Sequence, residues 1–73
     1  MTPIRIILAD DHSLIREGFK AMLGQSNRLI LVGEAENGSE LVDVAASSNP
    51  DVILTDLSMP LMNGFEAIER IRA

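Results

Sequence analysis

Short apolar runs with almost no polar interruption constrain this chain most. Ile4 to Ala9, Leu29 to Ala35 and Val52 to Thr55 are too continuous for strands with one face in water, which would alternate apolar and polar residues. They read as strands covered on both faces. Between and after them the apolar residues fall at helical spacing. Ser13 is placed to cap a helix running to about Gln25, with Gly24 near its end. Within it Ile15, Phe19, Met22 and Leu23 mark a stripe expected to be buried, while Arg16, Glu17 and Lys20 point elsewhere.

Asn37-Gly38-Ser39-Glu40 has the grammar of a helix start, with Asn37 as cap and Glu40 placed to reach back. Leu41, Val42 and Ala45 form its inner face, and Pro50 follows its end at Ser47-Ser48-Asn49. Asn63-Gly64-Phe65-Glu66 repeats the grammar, and Phe65, Ile68 and Ile71 continue a third helix. Either Asn-Gly pair could instead signal a hairpin. Both, however, precede helical rather than alternating spacing.

The order is therefore β-α-β-α-β-α, and such alternation implies a parallel sheet. Right-handed crossovers leave two strand orders, 1-2-3 and 2-1-3. Asp10-Asp11 ends the first strand and Asp56 the third. Order 2-1-3 makes those strands neighbours, puts the first two helices on opposite faces, and brings the acids together on the rim where open α/β sheets build their sites. That order is the one expected here.

Clustered carboxylates repel unless protons or a cation intervene. Mg²⁺ takes oxygen ligands, usually one or two carboxylates, and keeps several waters. A carboxylate can also attack phosphorus to give an acyl phosphate. Blander readings compete for each acid. Asp10 could be a solvated strand end or a helix cap, Asp11 a helix cap, and Asp56 a turn residue before a Pro-containing loop. A calcium-loop reading from Asp56 fails, because Pro60 and Leu61 occupy the positions of a side-chain ligand and the obligatory glycine. There is no Gly-rich phosphate loop. Asp11, His12 and Ser13 are sequence neighbours and do not make a converging triad. His12 reads as a loop or first-turn residue near the acids, and Met59 and Met62 as loop packing.

Composition narrows the field. The chain has 73 residues, no cysteine and a net charge of −5 without a basic run. Disulfides and thiolate metal sites are excluded, and nothing resembles a nucleic-acid surface. The only aromatics are Phe19 and Phe65, so bases have no stacking platform. No apolar stretch approaches the roughly 20 residues of a membrane span, and no signal peptide is expected ahead of the first strand.

Three segments carry a family resemblance. Ile6-Ile7-Leu8-Ala9-Asp10-Asp11-His12 with Arg16-Glu17-Gly18 resembles the start of a bacterial two-component response-regulator receiver domain. Val32-Gly33-Glu34-Ala35-Glu36-Asn37-Gly38 resembles its second strand and turn. Val52-Ile53-Leu54-Thr55-Asp56-Leu57-Ser58-Met59-Pro60 with Met62-Asn63-Gly64 resembles its phosphoacceptor strand and loop. The Asp-Asp-His and Arg-Glu-Gly wording is similar to the NarL/FixJ-type subgroup, whose members usually carry a C-terminal helix-turn-helix domain.

The resemblance implies that Asp56 accepts a phosphoryl group from a sensor histidine kinase. It implies that Mg²⁺ is held by Asp11, Asp56 and the Ser58 backbone carbonyl, with Asp10 helping through water. The Ser58 side chain would tune phosphoryl lifetime, and Pro60 and Gly64 would shape the loop. It also implies a cytoplasmic protein that reaches DNA only through an output domain outside residues 1–73. A complete receiver has a flavodoxin-like sheet of order 2-1-3-4-5. This chain resembles the N-terminal part, lacking strands 4 and 5 with the switch Ser/Thr and Lys they carry. The third strand is then an apolar edge, and self-association, as a dimer, is expected. Two other classes stay open: a small Mg²⁺-dependent phosphatase or phosphotransferase, and an inert interaction fragment.

Overall fold

The computed structural model describes residues 2–56, 59 and 62–72. Among these the chain runs β1 (Ile4–Ala9), α1 (Ser13–Leu23), β2 (Leu29–Ala35), α2 (Gly38–Ser48), β3 (Val52–Thr55) and α3 (Gly64–Arg72). The sheet order is β2-β1-β3, all parallel, as the sequence predicts. Leu8 stands opposite Glu34 and Leu54, and Ala9 opposite Ala35 and Thr55, so the three strands end level. This is a flavodoxin-like β-α-β-α-β-α arrangement.

Alternation along β1 divides the packing. Ile7 and Ala9 face α2 and α3 and join Ala35, Leu41, Ala45, Met59 and Ala67 in the core. Ile7 and Leu41 are fully buried. Ile6 and Leu8 face the other way and are also buried, on the side where Arg16 and Lys20 of α1 reach Glu34. The first two helices thus lie on opposite faces, as expected.

The helix ends follow the grammar of the sequence. Asn37 Oδ1 accepts the Glu40 N–H at 2.8 Å, and Glu40 Oε1 accepts the Glu36 N–H at 2.9 Å. Asn63 Oδ1 likewise accepts the Glu66 N–H at 2.9 Å. These bonds satisfy helix-start donors that have no partner within the helix. At the far end of α2, Arg5 donates to the Ser48 carbonyl at 2.6 Å and the Asn49 carbonyl at 3.1 Å. The charged residue of β1 therefore serves as a C-terminal cap for a helix with no basic residue in its own last turn. At Gly38 an added Cβ would lie 1.9 Å from the Met62 carbonyl oxygen. Glycine there lets the start of α2 touch the approach to α3.

Some of these expectations need correction. His12, not Ser13 or Asp11, is the residue before α1, and its side chain makes no capping bond. The Asp10 carboxylate accepts the His12 N–H at 2.9 Å instead, and α1 begins with the His12 carbonyl accepting from Arg16. The helix ends at Leu23, with the Gly24 N–H still bonded to the Lys20 carbonyl at 2.9 Å. Its apolar stripe is not buried: Ile15, Phe19 and Met22 are 46%, 39% and 67% exposed. α1 sits over the β2 side of the sheet, so little covers those side chains or their neighbours Val52 and Leu54 on β3. β2 is also less enclosed than its sequence suggests, with Ile30 exposed, because order 2-1-3 makes it an edge. The Phe65 side chain lies outside the described residues.

Candidate functional site

The sheet places the acids. The Asp10 N–H bonds to the Ala35 carbonyl at 3.1 Å, and the Asp56 N–H to the Ala9 carbonyl at 2.9 Å. Each ladder thus continues one residue past its strand, which seats Asp10 and Asp56 side by side on one rim. Asp10, Asp11, His12 and Asp56 each offer a ligand atom, all within 4.8 Å of one another. The convergence expected from strand order 2-1-3 is present.

His12 sits among the acids. Its Nδ1 is 2.8 Å from Asp10 Oδ1 and 3.1 Å from Asp11 Oδ1. With two carboxylates around it, Nδ1 carries the proton. The bond to Asp10, then the charges of Asp11, Asp10 and Asp56, raise the imidazole above its ordinary value despite some desolvation. Burial works to raise the Asp10 carboxyl, but the His12 backbone N–H, the His12 ring and Arg16 together hold it below its usual value. An open groove of about 290 Å³ lies beside the acids, lined by Leu8, Asp10, Phe19, Leu54, Thr55 and Asp56. Asp56 is therefore reachable from solvent.

The donor set is chemically hard: three carboxylates with the His12 imidazole beside them. Such oxygens suit a small divalent cation. Met59 is buried in the core and Met62 packs against it, as loop-packing residues should. Gly64 is buried in the first turn of α3. Ser58 and Pro60 lie outside the described residues.

The sequence reading missed Arg16. Its Nη1 donates to the Asp10 carbonyl at 2.5 Å, and its Nε lies 3.5 Å from Glu34 Oε1. The available signal was position. Arg16 is one helical turn into α1, and helical side chains lean back toward the N-terminus, here over the loop that holds the acids.

The model of the response regulator receiver domain matches residues 6–73. The chain belongs to the receiver domain family. The receiver is 43% identical over 70 residues to the nitrate/nitrite response regulator protein NarL of Escherichia coli K12, which covers 96% of this chain and 32% of that protein. It is 46% identical over 68 residues to the transcriptional regulatory protein LiaR of Bacillus subtilis, covering 93% and 32%. Among solved structures, the signal receiver domain of a NarL response regulator from Mycobacterium tuberculosis superposes with a TM-score of 0.93 at 35% identity. That match covers 99% of this chain and 58% of the other. The response regulator domain of Thermotoga maritima CheB gives 0.91 at 36% identity, covering 94% and 52%. The chain spans 32% of the length of the curated relatives named here.

The receiver carries its family's phosphoacceptor fold with the acidic and histidine cluster of an aspartate-phosphorylation switch module. Membership classes it as a phosphoacceptor rather than an enzyme. The cluster is consistent with the metal-binding site typical of receivers. No helix among the described residues is long and apolar enough to cross a membrane.

Proposed function

We propose that this receiver takes a phosphoryl group on Asp56 from a sensor histidine kinase, with Mg²⁺ held by Asp11 and Asp56 and, through water, by Asp10. The observation that carries the reading is the convergence of those carboxylates, with His12, within 4.8 Å on the rim beside an open groove. An Asp56 carboxylate oxygen attacks phosphorus. The O–P bond forms as the P–N bond of the phosphohistidine breaks, and the freed imidazole nitrogen keeps the electron pair and takes up a proton. Mg²⁺ would supply neutralising charge between the nucleophile and the phosphoryl oxygens. The Ser58 carbonyl would complete the protein ligands, and Pro60 and Gly64 would shape the loop.

The relatives' names, nitrate/nitrite response regulator and transcriptional regulatory protein, support a regulatory output. In a longer polypeptide that output would be DNA binding by a further domain, with residues 1–73 as the N-terminal part of the receiver. Self-association of the chain as a dimer through β3 is part of the same reading. It rests on the edge position of β3 and on Val52 and Leu54, exposed by 40% and 38%.

Labelling with a small phosphodonor tests the core of it. Incorporation should require Mg²⁺, be stoichiometric with one aspartate, and vanish in Asp56→Asn. Multiple turnover of the donor would favour the phosphatase reading, and no labelling the inert fragment.

A further inference from the structure

Arg16 touches the site and has no role in the chemistry above. We propose that Arg16 is a positioning residue: it fastens the peptide between Asp10 and Asp11 to β2 and so sets the aim of both carboxylates. The inference rests on the phosphoacceptor reading only in naming Mg²⁺ as the probe.

The bond that matters is to the backbone. Arg16 Nη1 donates to the Asp10 carbonyl, which belongs to the rigid peptide plane joining Asp10 to Asp11. Holding that oxygen limits ψ at Asp10 and φ at Asp11 together, and these torsions direct both side chains. The Asp10 end of the plane is already pinned by the Asp10 N–H on Ala35. Beyond it the chain has only Asp11 and His12 before α1 begins.

Arg16 is itself anchored. Its Nε faces Glu34 Oε1, and Lys20 Nζ takes Glu34 Oε2 at 3.1 Å and Glu17 Oε2 at 2.9 Å. Glu34 belongs to β2 and stands in register with Leu8 two residues before Asp10. The guanidinium therefore bridges strand, loop and helix. With its side chain only 16% exposed, it is held far more firmly than a surface arginine. A planar fork can span a carbonyl and a carboxylate at once, whereas a lysine ammonium on its flexible stem is a poor substitute.

Mg²⁺ affinity, measured by calorimetry on the full chain, is the readout. Partners that orient metal ligands typically contribute about tenfold or more to affinity. Arg16→Gln should therefore raise the Mg²⁺ dissociation constant about tenfold. Arg16→Lys, which keeps the charge but not the fork, should recover less than half of the lost affinity. Glu34→Gln should move the constant in the same direction by less. A merely structural arginine would lower the melting temperature and leave the affinity of the folded protein unchanged. Wild-type affinity in folded Arg16→Gln, or full recovery by lysine, overturns the inference. If Arg16→Gln does not fold, Arg16→Lys and Glu34→Gln decide by the same constant. A wild-type chain that binds Mg²⁺ but is never labelled sinks the phosphoacceptor reading and leaves this one standing. A wild-type chain that binds no Mg²⁺ sinks both.

Discussion

The two faces of the sheet are built differently. Toward α2 and α3, Ile7 and Ala9 meet Leu41, Ala45 and Ala67, and the side chains are buried. Toward α1, Ile6 and Leu8 are covered, but Ile15, Phe19, Val52 and Leu54 keep more than a third of their surface in water. Burial of apolar area is the main stabilising term, so stability concentrates on the first face. The acids stand on the rim between them, seated by backbone bonds that the sealed face keeps in register. The open face contributes the groove through which Asp56 is reached.

Truncation on each face sharpens this contrast. Leu41→Ala empties a fully buried position and should cost about 2–5 kcal/mol. In a chain of this size that leaves a large unfolded fraction in denaturant melts. Gly38→Ala drives a methyl against the Met62 backbone and should cost about 1–3 kcal/mol. Phe19→Ala on the open face should cost only about 1 kcal/mol, since little of the ring's burial is complete. Equal losses at Leu41 and Phe19 would erase the distinction between the faces.

Leu54→Lys should change stability by less than about 1 kcal/mol, because a lysine stem can lie along the groove with its charge in water. It should weaken self-association, seen by sedimentation at several concentrations. A dimer indifferent to this change does not use β3. The smallest effect is expected from pH at low ionic strength without added cation. The His12 value is raised above 6.5 in the folded chain. Its contribution is therefore fully present below 6.5 and lost as pH rises through the raised value. His12→Gln should flatten that part of the stability profile.

Much of this was legible in the residues. The strands were readable because burial on both faces of β1 leaves a nearly continuous apolar run, and strand order followed from asking where Asp10, Asp11 and Asp56 could meet. The caps at Asn37 and Asn63 are local, so sequence carries them. The exposure of Ile15 and Phe19 was not legible, since helical spacing names the apolar side of α1 without saying whether anything covers it. The contacts of Arg16 with Glu34 and of Gly38 with Met62 join distant segments, and no local spacing records them. A Cβ at Gly18 would meet nothing within 4 Å, and nothing in the structure explains that glycine.

Convergence of the rim acids on a cation is the claim on which the rest depends, and a thermal melt reads it directly. A cation that binds the folded site and not the unfolded chain raises the melting temperature, and Mg²⁺ should do so here at constant ionic strength. Asp11→Ala should abolish the rise. The same Mg²⁺ response in Asp11→Ala as in the wild type would contradict the site.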